Sequence, residues 1–289
     1  LVNSALKEFA YSFKIFKQYR GRRKVGIFGS SRSLPNDPNY ECTRRFASAI
    51  VKEGWMVITG AGPGIMAAGH EGAGAEHSFG AAIRLPMEAE ANEFIEGDPK
   101  LINFKYFFTR KVTFLKESDA FVLVPGGFGT MDEAFELLTL MQTGKSDVKP
   151  VVLLEDKDNH YWQDWLAFVR EHMIGRSLIS PDDLFLVKDT KDVDEAVQHI
   201  SRFYSNYQSQ RYVKGRLVLR VLRIPPESDL ARLNQSFADI LQSGGLRQVE
   251  ASPQEVEDED ALDCQRLAVD FARTNFGRLR QLIDELNGF

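Results

Sequence analysis

One stretch of this sequence has the residue types and spacing to hold an anion beside a carboxylate. Ala120-Phe121-Val122-Leu123-Val124 runs into Pro125-Gly126-Gly127-Phe128-Gly129-Thr130, and an amphipathic run from Met131 to Met141 follows at once. The pattern reads as a buried strand, a tight turn and the first turn of a helix. Glycines without a Cβ let backbone N–H groups approach a guest, and a helix N-terminus adds partial positive charge. Phosphate is the guest that suits this chemistry. Thr130 could cap the helix and offer its hydroxyl. Glu133, three residues on, admits two readings: the partner of Thr130 in a capping box, or a carboxylate held beside the sugar of a bound phosphate ester. Arg110 and Lys111 stand on the element before the same strand. The fold-back of strand and turn lets Arg110 and Glu133 face one pocket. The arginine fork suits phosphate or carboxylate; a structural ion pair with Glu133 is the plainer alternative.

Other chemistries find less support. Gly144-Lys145-Ser146 matches only the tail of a phosphate-binding P-loop and follows a helix rather than a strand. There is no Gly-x-Ser-x-Gly elbow. His70 and His77 are too isolated to argue for a metal. Cys42 and Cys264 have no metal-type spacing and read as ordinary thiols of a reducing compartment. No cofactor is called for.

The elements that must position these groups alternate. Val25–Phe28 is a strand ending in the small-residue turn Gly29-Ser30-Ser31. Trp55–Thr59 is a second strand, and it enters another glycine turn, Gly60-Ala61-Gly62-Pro63-Gly64, followed by Met66 on a helix. This turn does not meet the dinucleotide fingerprint. Further strands are expected at Phe79–Leu85, Val151–Leu154 and Leu184–Lys188. Ala89–Leu101 reads as polar and turn-like. Strands alternating with helices imply βαβ units, a parallel sheet and an α/β fold with its ligand at the carboxyl edge. After Tyr204 the character changes. Ser205–Gly215 reads as a linker, Glu250–Asp260 as a solvated acidic loop and Leu262–Leu286 as one last helix. The expected organisation is a domain over 1–205 and a small C-terminal α/β appendage over 206–289.

The 289 residues carry a net charge of −5, which disfavours a broad surface for nucleic acid. No apolar run approaches the length of a membrane span. Lysines interrupt the N-terminal stretch, so no signal peptide is expected and the reading is cytoplasmic.

Several segments together resemble the LOG ("Lonely Guy") family of phosphoribohydrolases, long mislabelled as lysine decarboxylases. They are Thr59–Met66, Leu85-Pro86-Met87-Glu88 with Asn92, Phe107–Lys111, and Pro125–Glu133 with its Pro-Gly-Gly-x-Gly-Thr-x-x-Glu order. The resemblance spans about residues 22–204. It implies a Rossmann-like fold and hydrolysis of the N-glycosidic bond of a nucleoside 5′-monophosphate, giving free base and ribose 5-phosphate. It casts Arg110 and Glu133 as the catalytic pair. Gly126, Gly127, Phe128, Gly129 and Thr130, with Lys111, would hold the phosphate, and Gly62, Gly64 and Met66 would line the nucleotide site. Ser30, Glu88 and Asn92 are further candidates. A homo-oligomer is implied by the family and by the aromatics at Phe104–Phe108. The chain departs from many relatives at Ala67, where an acidic residue is usual, and at Glu71, where an arginine is usual. A non-catalytic nucleotide sensor is the alternative reading.

Overall fold

The computed structural model describes residues 1–83 and 91–289. Two compact units make up the chain. One comprises Leu1–Thr139, Lys149–Arg176 and Val187–Gln198; the other comprises Leu140–Val148, Ser177–Leu186 and His199–Phe289. The 205/206 boundary expected from composition falls inside the second unit.

The first unit is an α/β layer structure. Its strands are β1 (Lys24–Phe28), β2 (Met56–Thr59), β3 (Ser78–Ile83), β4 (Leu101–Phe104), β5 (Ala120–Leu123), β6 (Val151–Leu154) and β7 (Lys188–Thr190). They form one sheet in the order β4-β3-β2-β1-β5-β6-β7, with every pairing parallel. Both faces are covered, so β2, β5 and β6 are buried at every position and read as unbroken apolar runs. The helices of this unit are α1 (Val2–Lys17), α2 (Pro38–Lys52), α3 (Ile65–Ala73), α4 (Phe107–Glu117), most of α5 (Phe128–Gln142), α6 (Tyr161–Phe168) and the first part of α7 (Val193–Phe203). Phe16 of α1 packs with Phe79, Phe104 and Phe114 in one core cluster. Asp37 starts α2 by accepting from the Asn39 N–H at 2.8 Å, with Pro38 at the first helical position.

The second unit holds an antiparallel sheet of β8 (Tyr207–Val213), β9 (Arg216–Val221), β10 (Leu241–Val249) and β11 (Gln265–Phe271), in the order β10-β11-β9-β8. Helices α8 (Glu227–Ser236), α9 (Pro253–Glu257) and α10 (Phe276–Leu286) accompany it.

Several expectations are corrected. The segment read as a linker is β8, and buried Asn206 donates to the carbonyls of Arg223 and Leu286. The supposed single helix over 262–286 is β11 followed by α10, with Asn275 capping α10 by accepting from Arg278 N–H. Leu267-Ala268-Val269 is buried throughout, and a short run of this kind carries no period that separates helix from strand. The acidic segment is not simply solvated. Glu255 on α9 is buried and meets Arg220 at 2.8 Å. Burial would raise its pKa, but Ser252 and Arg220 outweigh this and hold it down to about 2. Leu184 lies in a 3₁₀ turn, Pro181–Leu186, and the strand begins only at Lys188. Leu101, read as turn, opens β4. No helix among the described residues is long and apolar enough to cross a membrane.

Helices α2 and α3 approach closely at Gly72, where a Cβ would overlap the Arg44 carbonyl oxygen and press on Ala47 Cβ at 3.0 Å. Gly72→Ala is therefore expected to destabilise the first unit by about 1–3 kcal/mol, the usual cost of overpacking. Urea denaturation of the purified variant checks this; a midpoint unchanged from wild type would contradict it.

Candidate active site

The sheet order sets the place of the site. From β1 the chain builds β2, β3 and β4 to one side, then β5, β6 and β7 to the other, so the order reverses between β1 and β5. Open sheets bind ligands outside the carboxyl ends at such a point. Backbone bonds lace the strand ends together there. Ser30 N–H donates to Pro125 O at 3.1 Å, Ser30 O accepts from Ile65 N–H at 3.0 Å, and Val124 N–H donates to Phe28 O at 2.8 Å. Ser30 thus joins the loops that follow β1, β2 and β5. Its hydroxyl accepts from Arg32 N–H at 3.1 Å. Gly64 has φ +69°, and a Cβ on it would overlap Ser30 O, so backbone conformation and space both demand glycine.

The two glycine turns differ in what fills the missing Cβ space. At Gly60 and Gly62, Met66 takes it up, with Sδ 2.7 Å from where the first Cβ would stand and Cε 2.6 Å from the second. At Gly126 the neighbours are Thr130 and the Gly29 carbonyl carbon. At Gly127 and Gly129, no atom of the described residues outside the local backbone lies within 4 Å of where a Cβ would stand, and neither has a positive φ. Among the described residues, neither conformation nor packing requires glycine at these two positions. Helix α5 begins at Phe128, and its first backbone bond is Met131 N–H to Gly127 O at 3.1 Å. The N–H groups of Phe128, Gly129 and Thr130 have no acceptor within the helix. The ring of Phe128 is almost wholly exposed, and Thr130 is buried.

Of the two readings of Glu133, the capping box is disfavoured: α5 already begins at Phe128, so Thr130 lies within its first turn rather than at its N-cap. Glu133 points instead to Arg110, whose Nη2 donates to Glu133 Oε1 at 3.3 Å. Both side chains are largely buried, 14% and 5% exposed. The Arg110 guanidinium also lies over the Phe107 ring at 5.4 Å. Burial pushes the Glu133 carboxyl up to about 7, against the opposing pull of Arg110 and Lys111. Such a group changes charge near neutrality. Gly129 and Glu133 are four residues apart on α5, hence on one face.

Lys111 takes its ammonium to Asp132 at 2.6 Å and Glu136 at 2.7 Å. Asn92 braces the turn after β2: its N–H donates to Ala61 O at 2.8 Å, and Nδ2 donates to Gly62 O at 2.9 Å. It also meets His70 Nδ1, while His70 Nε2 lies 3.0 Å from Thr59 Oγ1. Burial holds His70 below its ordinary pKa. Glu71, one of the departures, accepts from Tyr40 Oη at 2.8 Å. Glu88 lies outside the described residues. Among the described residues no group of three or more His, Cys, Asp or Glu is arranged to hold a metal.

Two features escaped the sequence. Tyr161, at the start of α6, donates its hydroxyl to Gly126 O at 2.6 Å. A side chain that meets a backbone carbonyl leaves no residue-type pattern to read. An open cleft of about 920 Å³ lies between the β1–α2 loop and the start of α6, lined by Arg32, Asp37, Asn39, Asp156, His160 and Tyr161 among others. It does not include Arg110 or Glu133.

Residues 63–200 match the protein-family model described as "Possible lysine decarboxylase". The chain is 28% identical over 135 residues to a cytokinin riboside 5′-monophosphate phosphoribohydrolase of Arabidopsis thaliana, covering 47% of this chain and 61% of that protein. It is 37% identical over 91 residues to the cytokinin riboside 5′-monophosphate phosphoribohydrolase of Rhodococcoides fascians, covering 32% of this chain and 44% of that one. The chain thus spans about half the length of these relatives. Among solved structures it is similar to a molybdenum cofactor binding protein of Rippkaea orientalis, with TM-score 0.45 and 18% identity over 62% of this chain and 96% of that one. It is also similar to the molybdenum cofactor carrier protein of Chlamydomonas reinhardtii, with TM-score 0.43 and 21% identity over 63% and 97%.

The raised Glu133 pKa makes a stability prediction. The folded chain holds this proton more tightly than the unfolded chain, whose carboxyl titrates near its ordinary 4.5. Its contribution to stability is full below that value and lost as pH rises through about 7, by up to roughly 3 kcal/mol. Urea denaturation of wild type against Glu133→Gln across pH 4.5–8 reads this directly: the loss of stability is expected in wild type and absent in the variant. Parallel pH curves for the two would contradict it.

Proposed function

We propose, from the family-model match over residues 63–200 and the similarity to the phosphoribohydrolases above, that this chain belongs with the LOG family and hydrolyses the N-glycosidic bond of nucleoside 5′-monophosphates. Water is consumed, and free base and ribose 5-phosphate leave. The observation that carries the proposal is the sharing of one helix, α5, by two features. Its N-terminus presents glycines with open space among the described residues and N–H groups that have no acceptor within the helix, and one turn on, on the face of Gly129, stands the half-neutralised Glu133 beside Arg110.

The roles follow from charge. The N–H groups of residues 127–130 and the positive end of α5 hold the 5′-phosphate, which positions the ribose without taking part in bond cleavage. Cleavage leaves oxocarbenium character on the ribose. The Glu133 carboxylate stabilises that charge or orients the attacking water. Arg110 holds Glu133 in place, and its charge counters the desolvation that would otherwise keep the carboxyl protonated. Met66, over the turn at Gly60–Gly62, supplies apolar surface for the nucleotide. Lysine decarboxylation fits less well. It calls for pyridoxal phosphate on a lysine Schiff base. Burial disfavours the charge of Lys111, but Asp132 and Glu136 outweigh this and hold its pKa above the ordinary value, the reverse of what a nucleophilic amine requires.

We also propose self-association through α4, where Phe107, Phe108 and Val112 are all more than two-fifths exposed. Light scattering is expected to give a mass above the 32.7 kDa of one chain; a monomer mass would contradict this.

The reaction is tested by release of ribose 5-phosphate from AMP, CMP, GMP, UMP, IMP and isopentenyl-AMP. Wild type is expected to turn over at least one of them, with kcat/KM rising through about pH 7 as Glu133 ionises. Glu133→Ala is expected to lose roughly 10²-fold or more in kcat, the scale of removing one transition-state stabiliser, while still binding nucleotide. Tight binding with no turnover of any substrate would favour a nucleotide sensor instead.

A further inference from the structure

The anion cradle has a support that its own sequence does not contain. Gly126 is followed by Gly127, whose missing Cβ meets no atom of the described residues within 4 Å, and by the exposed Phe128. A contact from another element reaches the Gly126 carbonyl. Tyr161 donates its hydroxyl to the Gly126 carbonyl at 2.6 Å.

Tyr161 is itself firmly mounted. It opens α6, and its neighbour Trp162 is buried. Trp162 N–H donates to Glu155 Oε2 at 3.1 Å, and Trp162 Nε1 donates to Leu154 O at 3.3 Å. The first turn of α6 is thereby tied to the end of β6. The Tyr161 ring meets Trp162 edge-on at 4.9 Å between centroids. Its N–H donates to Asn159 Oδ1 at 3.1 Å.

A trans peptide places its C=O and the following N–H on opposite sides. Holding the Gly126 oxygen toward Tyr161 therefore turns the Gly127 N–H the other way. A donor on that oxygen also polarises the same peptide, which strengthens the N–H as a donor in turn. At Gly127 itself, no atom of the described residues outside the turn lies within 4 Å of where a Cβ would stand, so there is room beside this peptide for a guest.

We propose that Tyr161 is a positioning residue of the anion site: its hydroxyl sets the Gly126–Gly127 peptide so that the Gly127 N–H faces the 5′-phosphate. The proposal rests on the nucleotide reading above. It assigns Tyr161 to the phosphate alone, and the base and the N-glycosidic bond lie outside its reach.

The test compares ligands with and without phosphate. Dissociation constants for AMP, ribose 5-phosphate and adenosine are measured by calorimetry on wild type and on Tyr161→Phe, which keeps the ring and its contact with Trp162. AMP and ribose 5-phosphate are each expected to weaken about 3- to 10-fold, the worth of one net hydrogen bond, with adenosine unchanged. In turnover, the loss should appear in KM with kcat within about twofold, because the phosphate is held equally in ground and transition states. The Gly127 amide resonance should shift in the variant and respond less to ribose 5-phosphate, a readout that does not need turnover. Equal weakening of AMP and adenosine would show general damage and overturn the proposal, as would undiminished AMP affinity. Wild type that binds AMP but hydrolyses no nucleotide would sink the reaction while leaving this comparison intact. Wild type that binds neither AMP nor ribose 5-phosphate would overturn the cradle and this proposal with it.

Discussion

The site depends on the close meeting of strand ends where the sheet reverses its order. Backbone atoms of Ser30 bridge the β5 turn and the start of α3, while Gly64 and Gly126 let the chains approach within distances that a Cβ would block. These bonds do two things at once. They satisfy polar groups of a loop region that is partly buried. They also fix the N-terminus of α5 against the carboxyl edge, where its first N–H groups have no acceptor within the helix. Everything proposed for the chemistry follows from that placement.

Glu133 illustrates how the same placement sets reactivity. Its carboxyl is drawn out of water by packing, which favours the neutral form, and toward ionisation by Arg110 and, more distantly, Lys111. Burial is the larger effect, and the opposing charges limit the rise to about 7. A simple surface ion pair would have lowered the pKa, and an isolated buried acid would have stayed protonated. Arg110 is held in its turn by the aromatic faces of Phe107 and Phe114. The carboxylate and its partner therefore come from α4 and α5, the two helices that flank β5 in sequence.

The fold of the first unit was legible because its strands are buried on both faces and its turns are rich in glycine. β5 and its turn announce themselves, and Arg110 with Glu133 follows from the order of the elements. The second unit was less legible. Leu267–Phe271 is as apolar as a helix core, so β11 was hidden inside an apparent helix. Polar β8 resembled a linker because its partner strand, β9, supplies most of the buried surface. At the site, the cap reading of Thr130 could not be decided from residue types, because cap position depends on where the backbone first turns helical, and α5 begins at Phe128. Asn92 was recognised, but its bonds are to Gly62 and His70, which brace the turn from behind. Tyr161 carried no local signal at all.

The most direct measurement is a crystal structure of the protein with AMP bound to Glu133→Gln, a variant chosen to preserve the shape of the side chain. The phosphate is expected within hydrogen-bond distance of the N–H groups of residues 127–130, with the ribose facing position 133 and the base toward Met66. A nucleotide seated elsewhere, or with its phosphate turned away from the start of α5, would contradict the account.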